Sequence, residues 1–130
     1  MSTEPFQITI EPNKRLMRIT MQGHWTVETV EAYRHAVIEA GTKMATLGCP
    51  VDEILALVDA RAGGPQSQEV VAAWRDRIEA HGLAAPRRLA SLVSSALLKR
   101  QMERIAVPNQ RLFTEETEAL AWLLSPADAA

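Results

Sequence analysis

One continuous apolar run, Ile54-Leu55-Ala56-Leu57-Val58, lies between Pro50 and Gly63-Gly64-Pro65, and nothing else in the sequence limits the fold so strongly. A run of that length bounded by turn residues reads as a strand covered on both faces, near the middle of a sheet. Helices must supply the cover, which makes the fold class α/β. Asp59 follows the run, then a loop carrying Arg61, Gly63 and Gly64, and Ser67 opens a helical pattern. In open α/β sheets, ligands and partners bind in the crevice beyond the carboxyl ends of the strands, where this loop is expected.

The rest of the chain arranges itself around that strand. Phe6, Ile8 and Ile10 alternate with Gln7, Thr9 and Glu11, and after a Pro12-Asn13-Lys14 turn a second β-rich segment runs from Leu16 to Met21. The two predict an antiparallel hairpin. Thr26 is a natural N-cap, and a helical stripe through Val27, Val30, Val37 and Met44 continues until Gly48-Cys49-Pro50 stops it. That long helix returns the chain for the Ile54–Val58 strand, so the strands on either side of it run parallel through a right-handed crossover. Ser67 caps a second helix with Val70, Val71, Trp74 and Ile78 inward, closed by His81-Gly82. A strand over Leu89–Val93 follows, then a third helix capped by Ser95 with Leu98, Met102 and Ile105 as its stripe, ended by Pro108. A short strand at Arg111-Leu112-Phe113 and a final helix capped by Thr114, with Leu120, Leu123 and Leu124 inward, complete the order β-β-α-β-α-β-α-β-α. The prediction is a single domain over 1–130, a mixed sheet with helices packed on it, in which only the first strand runs against its neighbour. Residues 1–4 and 126–130 are expected to be flexible ends.

Composition fits that picture. At 130 residues and 47% hydrophobic, the chain is long enough to bury a core without disulfide or metal support. A net charge of -2 gives no whole-domain attraction to nucleic acid or anionic lipid. Between Pro86 and Arg111, however, the cations Arg87, Arg88, Lys99, Arg100, Arg104 and Arg111 stand against Glu103 alone, which reads first as a solvated helix face and residues near a helix C-terminus. Cys49 has no second cysteine to pair with. The first residues lack the basic-then-apolar layout of a signal peptide, and no run is long enough to span a bilayer, so a cytoplasmic protein is expected.

The element order, the ILALVDAR strand leading into a loop and helix, and an ending with Phe113, Ala119, Trp122 and Leu123 resemble the STAS superfamily, and within it the SpoIIAA-like branch. The resemblance covers nearly the whole chain and implies a fold shared with lipid-binding CRAL-TRIO domains. In the anti-sigma-factor antagonists of that superfamily, the loop after the third strand carries Asp-Ser-Ser-Gly, whose serine is phosphorylated to release a partner kinase. The corresponding stretch here is Gly64-Pro65-Gln66-Ser67-Gln68-Glu69, with Ser67 where the motif has its Asp and Gln68 and Glu69 at the serine positions. The phosphoswitch is therefore not carried over residue by residue, and Ser67 is a phosphosite only through a shift in the loop.

Each candidate residue has a plain structural role to set beside a functional one. Ser67 reads first as a helix cap. Asp59 reads as an acid bonding the N-H groups of the following loop. Gly63-Gly64 permits a close backbone approach but lacks the spacing of a nucleotide-binding motif. His24, His35 and His81 have no metal-ligand spacing, and no nucleophile can be singled out. No metal, cofactor or catalytic constellation is expected. Trp74 and Trp122 fall on core stripes, while Trp25 reads first as a hydrophobic staple ahead of the Thr26 cap, with an exposed contact as the alternative. The expectation is a regulatory or interaction module with Asp59, Arg61, Gly63, Gly64, Ser67 and Gln68 on its partner surface, binding another protein or itself. The alternative is a carrier or sensor of a small apolar or anionic, lipid-like ligand held between helices and sheet, which predicts a pocket lined by the first two helices.

Overall fold

The computed structural model describes residues 4–63, 65–81, 86–105 and 109–125, with side chains at 77–81 and 105 outside the description. Strand β1 (Phe6–Glu11) passes through a 3-10 turn at Pro12–Lys14 into β2 (Leu16–Gln22), and the other elements are α1 (Val27–Thr46), β3 (Leu55–Ala62), α2 (Gln68–His81), β4 (Arg88–Leu92), α3 (Ala96–Ile105), β5 (Gln110–Phe113) and α4 (Glu116–Leu123). The expected order of elements is the observed one.

All five strands join one sheet in the order β1-β2-β3-β4-β5. Only β1 is antiparallel to its neighbour, pairing Phe6 with Met21 and Glu11 with Leu16, and the remaining pairs are parallel. This order has a geometric consequence. Crossovers of one hand between strands that advance steadily in one direction put all their helices on the same face. Accordingly α1, α2 and α3 cover one side, where Met17, Ile19, Ala56, Val58 and Leu89 meet Val30, Met44, Val70, Trp74, Leu98 and Met102. Side chains of the opposite parity, Leu16, Leu55, Leu57, Ala90 and Leu92, meet Ala119 and Leu123 of α4. The central strand is thus buried on both faces, with Leu57 2% exposed.

Local signals account for most element ends. The Thr26 side chain accepts from the Thr29 N-H, and Thr29 Oγ1 returns the bond to the Thr26 N-H, a reciprocal cap. At the other end of α1, the Gly48 N-H donates to Ala45 O and the Cys49 N-H to Met44 O, with Gly48 at φ 94°, a glycine-closed Schellman turn. Ser67 and Ser95 accept from the N-H groups of Val70 and Leu98, as capping residues should.

Several expectations need correction. The third strand does not stop at Val58 but runs on through Asp59 and Arg61 to Ala62, because β2 continues beside it as far as Gln22 and offers partners. Thr114 does not cap α4; Glu115 holds the cap position without a side-chain bond, and Glu116 and Glu118 in the first turn supply favourable charge instead. Trp122 is only half-buried, tilted against Phe113, and Leu124 is 54% exposed at the helix end. Gly64, Gly82, Pro108, residues 1–3 and 126–130, and the side chains of Ile78, His81 and Ile105 lie outside the described residues.

Candidate functional site

The carboxyl ends of β2, β3 and β4 form a rim whose parts follow from strand alternation. In β3, Leu55, Leu57, Asp59 and Arg61 share the α4 face, while Ala56, Val58 and Ala60 share the three-helix face. Past the edge of α4 the core gives way to charge. Asp59 grips Arg61 with both carboxylate oxygens, Oδ1 to Nε and Oδ2 to Nη2 each at 2.9 Å, and also accepts from the Arg61 N-H at 3.1 Å. These bonds hold the Asp59 carboxyl below its usual value, against the opposing effect of partial burial. The same contact pushes the Arg61 guanidinium up, helped by the charges of Glu116 and Glu115. Arg18 completes the group by pairing with Glu11 at 3.4 Å and Glu116 at 3.5 Å. Asp59 therefore orients Arg61 and has little bonding capacity left for a ligand.

The loop that follows is held from within. Gln66, 9% exposed, accepts from the Trp25 N-H through Oε1 at 2.8 Å and donates through Nε2 to Gly23 O and Gly63 O. Gln101 of α3 clamps the same residue, accepting from its N-H at 2.8 Å and donating to its carbonyl at 2.7 Å. The Ser94 hydroxyl donates to Arg61 O. A glutamine in a turn carries no periodic signal, so Gln66 and Gln101 were not legible as a unit in the sequence, where they stand 35 residues apart.

The expected partner surface is consequently divided. Asp59 and Arg61 lie on the α4 face, and Ser67 and Gln68 open α2 on the opposite face. Ser67 and Gln68 are exposed, as is Arg61. Gly63 makes no unusual approach, since a Cβ there would meet Ala60 O at 3.5 Å in ordinary contact. Gly64 lies outside the described residues.

The chemistry elsewhere is structural. Arg88 is buried, donates to Trp122 O and Ser125 Oγ at the C-terminal end of α4, and stacks 5.3 Å over the Trp122 ring. Cys49 is buried, and burial pushes its thiol up. Among the described residues, no group of three or more His, Cys, Asp or Glu side chains is placed to hold a metal, and no helix is long and apolar enough to cross a membrane. A groove of about 330 Å³ does open at the sheet edge, but it is lined by β1 and α1 (Phe6, Ile8, Ile10, Ala36, Glu39, Ala40 and Lys43), not by the first two helices. Among the described residues, two buried donors, Arg34 Nε on α1 and Trp74 Nε1 on α2, have no acceptor.

No family model matches the chain, and no curated protein does. Among solved structures it is similar to an uncharacterised protein of the DUF3478 family from Shewanella loihica PV-4, described as having a SpoIIAA-like fold, with a TM-score of 0.64 and 24% identity over 95% of this chain and 98% of the other. The five-stranded mixed sheet, the three helices on one face and this similarity agree with the resemblance carried by the ILALVDAR strand and the Phe113–Leu123 ending: the chain has a SpoIIAA-like, STAS-type fold.

Proposed function

We propose that this chain is a non-enzymatic interaction module whose partner surface is the rim at the end of β3 and the start of α2. The observation that carries this reading is the internal clamp: Gln66 and Gln101 bond Gly63 O and the Gln66 N-H and C=O from within, while Arg61, Ser67 and Gln68 stay exposed. Residues already held in place lose little entropy on binding, and an arginine aimed by a carboxylate keeps its remaining N-H groups for an acceptor on a partner. The test pairs pull-downs with thermal melts for Arg61→Ala and Ser67→Asp. Asp caps a helix about as well as Ser, so Ser67→Asp should melt with wild type yet lose a protein that wild type retains. If both variants keep every partner of wild type, the rim is structural and the reading fails.

A second reading, a carrier of a small anionic or apolar ligand, draws support from the two buried donors on α1 and α2 without an acceptor among the described residues, although the groove lies between β1 and α1 and not between the first two helices. Buried N-H groups rarely go unpaired, and a ligand oxygen is one way to pair them. Native mass spectrometry should then show an adduct that disappears under denaturing conditions and is weakened by Arg34→Met. A bare chain mass would refute it.

A further inference from the structure

The β1 edge presents backbone groups that β2 does not use. Which backbone groups face outward follows from one bond. The Gln22 N-H donates to Pro5 O at 2.9 Å, which makes Pro5 and Gln22 a hydrogen-bonded pair in the β1–β2 ladder. Such pairs alternate with non-bonded ones, so Gln7–Thr20, Thr9–Arg18 and Glu11–Leu16 bond inward, and the N-H and C=O groups of Phe6, Ile8 and Ile10 point away from β2. Nothing among the described residues pairs with them, since β1 is the first strand of the sheet order.

Exposed edges are usually blunted by a bulge, a proline or an inward-pointing charge. Here the outward-bonding residues are all apolar, and the prolines, Pro5 and Pro12, stand at the two ends of the strand, where they limit its length without blocking it. An antiparallel copy centred on Ile8 sets Ile8 opposite Ile8 and Phe6 opposite Ile10 in both directions. Every outward donor and acceptor of the three residues is then satisfied, and the apolar side chains of both copies stay on one face.

The helix above the edge carries the complementary charge. Glu39 and Lys43 form the polar wall of the β1–α1 groove, with the small Ala36 and Ala40 beside them. They stand one helical turn apart in the order that favours a pair, yet no ion pair joins them to each other or to another described residue. A twofold axis through Ile8 reverses the direction of α1, which brings the Glu39 end of one helix to the Lys43 end of the other. Each glutamate meets a lysine, twice by symmetry.

The geometry points to a twofold dimer in which two β1 strands pair antiparallel through Phe6, Ile8 and Ile10 and two α1 helices are locked by reciprocal Glu39–Lys43 contacts. This surface is separate from the rim, so its test does not depend on the function proposed above. Sedimentation or light scattering over a range of concentrations should give twice the chain mass for wild type. Ile8→Pro should be monomeric, because it deletes an outward N-H that no described strand of the same chain uses. Lys43→Glu should weaken the dimer roughly tenfold by placing like charges together, and the exchanged pair Glu39→Lys with Lys43→Glu should restore it. Both charge positions are exposed, so these variants test the seam without threatening the fold. A wild-type chain that stays monomeric, leaving the groove to a foreign strand or an apolar ligand, overturns the proposal. So does a dimer that Ile8→Pro and Lys43→Glu leave intact, or a charge exchange that restores nothing.

Discussion

Asp59 illustrates what a single position can and cannot reveal. Its residue type and place beyond an apolar run predict an acid bonding the following loop, but the N-H it accepts from is that of Arg61, still within β3. The two-pronged grip on the Arg61 side chain came from strand alternation, which the position of the strand end concealed. The ion pair has a pH signature. Because the folded carboxyl is held below its ordinary value near 3.9, its contribution is complete above about pH 4 and fades as pH falls through the folded value. Both side chains are partly exposed, at 25% and 39%, so the contribution is at most about 1 kcal/mol. Asp59→Asn should therefore lower urea stability by up to that amount at pH 7, and the deficit should shrink as pH falls through the folded value. A deficit that persists in acid would assign the loss to packing.

At the scale of the element, α1 shows how much a helix end can encode. Thr26 at its start and Gly48-Cys49-Pro50 at its stop were both readable, because caps depend on residues within one turn of each other. Trp25, directly before the cap, is buried with Val30 in the same cluster, as a staple requires. Gly48 allows a direct test: its φ of 94° is costly for a side chain, while nothing within 4 Å would obstruct one. Gly48→Ala should thus cost about 1 to 2 kcal/mol from backbone strain alone, and Gly48→Asn less, since Asn tolerates left-handed conformations better. Equal melting temperatures for Gly48→Ala and wild type would show that the turn relaxes.

Across the whole molecule, scarce aromatic residues join distant elements. Phe6 of β1, Trp25, Tyr33 of α1 and Trp74 of α2 form a chain of ring contacts with centroids 5.2 to 5.8 Å apart, and burial there pushes the Tyr33 phenol above its ordinary value. Trp74, 8% exposed, is the member that ties α2 to this group. Trp74→Ala should cost about 3 to 5 kcal/mol, a large part of the ~5 to 15 kcal/mol that holds a domain of this size together. Trp74→Phe should cost clearly less, because it removes an N-H that has no acceptor while keeping a ring in place. Chemical denaturation of both variants checks the ranking. Equal losses would mean that the phenyl ring restores none of the packing that the indole provides.

The order of elements, the hairpin, the apolar central strand and three of the four proposed helix caps were legible in residue spacing, because each depends on a period or a contact spanning a few residues. Tertiary structure alone decided the rest. Strand order, and with it the placing of three helices on one face and one on the other, depends on which strands meet after long crossovers. That choice, together with the run of β3 through Arg61, carried Asp59 and Arg61 away from Ser67 and Gln68. The Gln66–Gln101 clamp and the outward row of Phe6, Ile8 and Ile10 have the same origin. They are fixed by pairings between segments far apart in the chain, and residue spacing carries no record of those pairings.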